Sequence, residues 1–232
     1  WVRMKALAQR ILDGDIPAYS EAITEFSVFG EIANLGASLD FKPHDSRRVQ
    51  CVLSVNGHNI IPSETQTLTS AGKLSSKQMP KGRFHEIYQD YVCGCCLRIG
   101  REILSLLPVD TVLATITLPS LDVSTGQTIE LPVLSALLDR PTMDSLNFDL
   151  LDPSEAMENF DCRGDVKFSK KTGEFTRAVP HVFEDSETQG DGTQGLDMVL
   201  RRVTSHRAAF QKLLKRSPAQ DSIPLPTEPL ST

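Results

Sequence analysis

The chain has 232 residues, 40% of them hydrophobic, and a formal net charge of −6. Such a length holds one ordinary domain with tails, and such a composition builds a core without disulfide or metal staples. The charge argues against a body coated in nucleic acid, and no apolar run reaches the roughly 18–20 residues of a membrane span.

Residues 2–13 place Val2, Leu7, Ile11 and Leu12 at near-helical spacing, with Gly14 as a stop. A second helical stretch is expected from Ala18 to Leu35, with Ile23, Phe26, Phe29 and Ile32 on one side. Strand periodicity follows. In 48–56, Val49, Cys51, Leu53 and Val55 alternate with Arg48, Gln50 and Ser54, the mark of a strand with one buried face. Leu39 and Phe41 alternate upstream of a polar turn at His44–Asp45–Ser46. Asn56-Gly57 predicts a tight hairpin and a short third strand at 59–61, and the polar stretch 63–80 predicts a long loop.

The longest helix is expected from Lys81 to Leu107, ended by Pro108. Its apolar stripe runs through Phe84, Tyr88, Tyr91, Cys95, Ile99, Ile103 and Leu106. Residues 111–118 and 127–138 form a second strand pair, in which Pro132 requires an edge or a bulge because it cannot donate to a ladder. Short helices at 141–147 and 153–160 and a hairpin at 165–178 complete the body. The predicted fold class is α+β: a mostly antiparallel sheet packed by a long central helix, with a separate C-terminal basic helix. The expected division is a core domain at 1–180, an acidic linker at 181–194, a basic amphipathic helix at 195–216 and a disordered Pro-rich tail at 217–232.

Five cysteines are an odd number, and Cys93, Cys95 and Cys96 stand too close on one helix to pair with each other. With no secretory pattern in the opening residues, a reducing, cytoplasmic setting with free thiols is expected. A metal site from His85, Cys93, Cys96 and Cys162 is one alternative to simple packing of small side chains against the sheet. Ser70-Ala71-Gly72-Lys73, Ser145-Leu146-Asn147 and Lys171-Thr172-Gly173 echo a penicillin-recognising signature, but the first Ser lies in a polar stretch and does not open a buried helix.

The order helix, three strands, helix, strand resembles the core of restriction-endonuclease-like nucleases. The resemblance implies carboxylates and a Lys or Gln around Mg2+, which here would be Asp45, Glu64 and Gln66. No Asp/Glu-x-Lys stands on a predicted core strand, so this metal-dependent, nucleic-acid-acting reading is the alternative one.

The feature hardest to assign to a core is 195–216. Arg201, Arg202, Arg207, Lys212, Lys215 and Arg216 stand against Asp197 alone, a net +5, which leaves −11 on the remainder. Leu196, Val199, Leu200, Val203, Phe210, Leu213 and Leu214 form a broken apolar stripe between the cations. Docking on the acidic body, a protein partner or self-association, and nucleic acid each fit this pattern. The functional expectation is a non-catalytic interaction or regulatory module that needs no cofactor. It would meet a protein partner through these cations, with nucleic acid as the second candidate and no membrane.

Overall fold

The computed structural model describes residues 2–26, 38–70, 72–164 and 175–183. The predicted basic helix at 195–216, the tail at 217–232 and most of the predicted linker lie outside them, as do 27–37 and residues 165–174 of the predicted 165–178 hairpin.

Two helices open the chain, α1 (Val2–Leu12) and α2 (Ile16–Glu25). Asp15 stands at the N-cap position of α2 in extended conformation and Pro17 occupies its first turn, where the missing N–H of proline costs nothing. α1 buries Leu7 and Ile11, and α2 buries Ala18, Tyr19 and Ala22. Arg10 bridges to Asp15 (2.7 Å) and Glu21 (2.6 Å), fastening the two helices on their outer side.

The main sheet has five strands in the order β1-β2-β5-β6-β7. These are β1 (Ser38–Pro43), β2 (Arg48–Ser54), β5 (Thr111–Asp122), β6 (Gln127–Asp139) and β7 (Asp161–Arg163). β1 pairs antiparallel with β2, and β5–β6–β7 are antiparallel among themselves. β2 and β5 run parallel, which makes the sheet mixed. A parallel pair needs a long crossover, and the 26-residue α3 (Lys81–Leu106) supplies it.

Three expectations are corrected. Residues 58–60 form a 3-10 turn in place of a third core strand, with Gly57 at φ −71°, outside the left-handed region that a type I′ turn needs. The predicted loop at 63–80 is a hairpin of β3 (Glu64–Leu68) and β4 (Leu74–Gln78), paired only with each other. On α3 the buried stripe is centred on Tyr88, Val92, Cys93, Cys96, Ile99, Gly100 and Ile103, while Tyr91, Cys95 and Leu106 lie at its half-buried margin. The rotation brings the small residues against the sheet. A Cβ at Gly100 would collide with the Leu138 side chain, so glycine is what permits this approach.

Registers assign the two faces. Leu39, Phe41, Val49, Cys51, Leu53, Val112, Ala114, Ile116, Leu134, Ala136 and Leu138 point to α3 and form the core with it. The expected irregularity at Pro132 is a bulge: Ile116 pairs with Leu134 and Thr117 with Pro132, leaving Val133 as the extra residue. After β6 come α4 (Arg140–Ser145) and α5 (Pro153–Ala156), started by Asp139 and Asp152, whose side chains accept backbone N–H groups. The guanidinium of Arg140 donates to the carbonyls of Leu104, Leu107 and Val109, closing the end of α3.

Candidate functional site

The nuclease-like candidates fall at the two ends of β2. Asp45, before the strand, holds the β1–β2 turn: its carboxylate accepts the N–H groups of Arg47 (2.8 Å) and Arg48 (2.7 Å) and the Arg48 Nε (2.7 Å). Partial burial pushes its pKa up, but these donors outweigh that and hold it below the usual carboxylate value. Glu64 and Gln66 come after the strand, on the β3–β4 hairpin, where Glu64 accepts the Ser76 hydroxyl and Gln66 faces Ser76 across the ladder. The structure does not bring Asp45 to Glu64 and Gln66; a seven-residue strand, about 20 Å long, lies between the two segments.

The thiol candidates divide differently. Cys51, Cys93 and Cys96 are buried between α3 and the sheet, and Cys162 reaches the same layer from β7. Burial pushes Cys51 and Cys93 up to about 12 and Cys96 well above its ordinary value. Cys93 and Cys162 raise Cys96 further by like charge, so these side chains do gather as neutral thiols. His85 stands apart from them. Its ring lies 6.1 Å from His58 and 5.6 Å from Phe84, in an aromatic cluster that Tyr88 joins. All five cysteines are free. Among the described residues, no group of three or more His, Cys, Asp and Glu side chains is arranged to hold a metal ion, and no helix is long and apolar enough to cross a membrane. Arg201, Arg202, Arg207, Lys212, Lys215 and Arg216 lie outside the described residues.

Two features escaped the sequence reading. The first is a buried polar group of side chains on the sheet face turned away from α3, where Val52 and Leu113 are also buried. Glu130 on β6 is 7% exposed and its Oε2 accepts the hydroxyls of Ser54 (2.7 Å) and Thr117 (2.9 Å). Beside them Thr115 and Ser135 share a hydrogen bond of 3.2 Å. An extended strap, residues 175–183, begins on the α3 side, where Phe175 packs 5.7 Å from the Tyr88 ring, and reaches this face at His181. Ala178 N–H donates to the Pro132 carbonyl, His181 N–H to Ser135 Oγ (2.9 Å) and Arg163 to the Pro180 carbonyl. Arg48 lies over the Phe183 ring, 5.1 Å from its centroid. The His181 ring is buried, with Nε2 3.3 Å from Asp161 Oδ2, an ion-pair distance without hydrogen-bond alignment. No ring nitrogen meets a hydroxyl, so Ser135, His181 and Asp161 do not form a nucleophilic triad.

The second feature is a carboxylate surface. Asp144, Asp149, Asp152, Glu155, Glu158 and Asp161 are all exposed along α4, α5 and β7. The stretch 139–163 contains two cations, Arg140 and Arg163, and both donate to backbone carbonyls. By contrast Glu25, Asp15, Glu21, Asp110, Asp45, Glu86 and Glu102 each sit at ion-pair distance from an arginine. None of the six exposed carboxylates has a Lys or Arg partner among the described residues; Asp161 faces only His181. Crowding is felt at the margin of the surface: burial first, and then Asp152, raise the pKa of Asp90 on α3. These six side chains give this surface a net negative charge among the described residues.

No family model, no curated protein and no solved structure matches this chain.

Proposed function

We propose that the chain is a non-catalytic interaction module that contacts an acidic surface of a protein partner through the basic segment 195–216. The observation that carries this reading is charge segregation: +5 is concentrated in 22 residues of a chain whose remainder sums to −11. A sequence that mixed its charges for solubility alone would intersperse them. The engaged state of Asp45 and Glu64 adds support, since each already serves a turn or a hairpin through local hydrogen bonds.

The test is binding of the full chain to fluorescent polyglutamate and to mixed-sequence DNA and RNA, at low and moderate salt, with and without magnesium. Replacing Arg201, Arg202, Arg207, Lys212, Lys215 and Arg216 by Gln is expected to weaken polyglutamate binding at least about tenfold, as six screened charge contacts of a few tenths of a kcal/mol each would give. Nucleic acid bound more tightly than polyglutamate, together with magnesium-dependent cleavage abolished by Asp45→Ala, would overturn the proposal in favour of the nuclease reading.

A further inference from the structure

β1 is an edge of the main sheet: among the described residues it pairs only with β2. It has six residues, against three in β7 at the opposite edge. Parity decides which backbone groups it leaves open. The Arg47 carbonyl accepts from Thr111 and Val55 N–H donates to the Thr117 carbonyl, so the odd-numbered residues along β2 serve β5. His44 N–H donates to the Arg48 carbonyl, so the even-numbered residues of β1 and β2 serve each other. The N–H and C=O groups of Leu39 and Phe41 therefore turn outward, together with the Pro43 carbonyl. Such an edge is a template for a further strand. Asp40 and Lys42 stand along it on the face away from α3, and neither has an ion-pair partner among the described residues. Leu39 and Phe41, on the α3 side, are only partly buried.

The occupant that this edge fits is the same edge of a second copy. Antiparallel two-fold registers that keep the outward groups in hydrogen-bonding phase are centred on Asp40, Phe41 or Lys42. The first sets Asp40 against itself and the last sets Lys42 against itself. Centred on Phe41, the pairing puts Asp40 of each copy opposite Lys42 of the other, on both sides of the axis. Opposed like charges destabilise a ladder and opposed unlike charges stabilise it, so the charge pattern selects this register. In it the two Phe41 residues exchange N–H···O=C bonds, and Leu39 N–H reaches the Pro43 carbonyl of the second copy. Proline lacks an N–H and offers the ladder only its oxygen. Lys and Pro on an edge guard against indiscriminate pairing, and here they leave the Phe41-centred register open. We infer that two copies of this chain join by antiparallel β1–β1 pairing about Phe41, fusing their five-stranded sheets into one. The inference stands independently of the segment 195–216; the dimer carries that segment twice, which offers a partner two contacts at once.

Sedimentation equilibrium of the full chain, from micromolar to millimolar concentration, tests this. The mass is expected to rise from the 25.6 kDa of one chain toward twice that value. Asp40→Lys and Lys42→Asp should each weaken the dimer at least about tenfold, because each sets like charges opposite one another on both sides of the axis. Mixed together, the two variants regain unlike charges at both places and should associate about as tightly as the parent. The Asp40→Lys/Lys42→Asp chain, whose net charge is the parent's, should do so by itself and ties the effect to the register. Asp40 is half-buried and Lys42 exposed, so circular dichroism should show every variant folded. A monomer at all concentrations overturns the inference, as does a dimer indifferent to both reversals, which is what pairing through 195–216 would give. A mixture, or a swapped chain, that stays as weak as the single variants overturns it as well.

Discussion

The two faces of the main sheet solve the same problem with opposite chemistry. Under α3, alternate residues of five strands meet a helix through apolar contact and small thiols, and every close approach there is one of shape, as at Gly100. On the other face, Val52 and Leu113 are joined by buried Ser, Thr and Glu, and burial of the polar ones is tolerated because hydroxyls and a carboxylate satisfy one another. The difference teaches where specificity resides. An apolar layer accepts many volume-conserving replacements, whereas a buried polar layer loses heavily when one member goes.

The largest expected effect lies on the apolar face. Cys51, Cys93 and Cys96 have folded-state pKa values raised by burial, from a reference near 9.0 to about 12 for the first two and well upward for the third. A raised folded pKa contributes stability that is complete below 9 and is lost as pH climbs toward the folded value, because the unfolded chain ionises first. Three thiols together should cost about 4 kcal/mol between pH 8 and pH 10. Urea unfolding at both pH values checks this, and a Cys51→Ala/Cys93→Ala/Cys96→Ala chain should lose that part of the slope. An equal slope in both chains would show that the thiols are not ionising on unfolding.

The polar face breaks at one residue. Glu130→Ala removes the acceptor that the buried Ser54 and Thr117 hydroxyls share and should cost about 2–4 kcal/mol, at about 1–2 for each lost hydrogen bond. Glu130→Gln, which keeps an acceptor oxygen, should cost less. If Ala and Gln replacements destabilise equally in denaturant titrations, the hydrogen bonds are not what holds this face.

The contrast also sets what was legible in the sequence. Val49, Cys51 and Leu53 announce their strand because the apolar face writes itself as alternation, and α3 announces itself by steps of three and four. Ser54 stands in the sequence as a polar alternate, and nothing local marks it, Thr117 or Glu130 for burial; Ser54 lies 76 residues from the carboxylate it donates to. The β3–β4 hairpin was hidden for the same reason: Thr, Gln, Ser and Lys pair there by backbone hydrogen bonds with almost no apolar signal. The parallel β2–β5 pairing is a choice between sheet edges made by α3, not by either strand. For the candidate site, residue types were legible and neighbourhoods were not. Cys93, Cys96 and Cys162 converge, whereas His85 joins His58 and Asp45 closes a turn.

The smallest effect asks whether the strap is held separately from the body. Arg48 stacks its guanidinium on Phe183 and pairs with Asp45 on a half-exposed surface. A cation–π contact in that setting contributes about 0.5–1 kcal/mol. Arg48→Leu should therefore raise hydrogen exchange at the His181 and Ala178 amides about two- to fivefold, since these N–H groups donate from the strap to Ser135 Oγ and the Pro132 carbonyl. The interior amides of β2, Cys51 to Leu53, should be unchanged, because they belong to the ladder under α3. Exchange that rises equally in strap and strand would mean the two faces open as one unit. The polar layer would then owe its burial to the whole fold and not to the segment that crosses it.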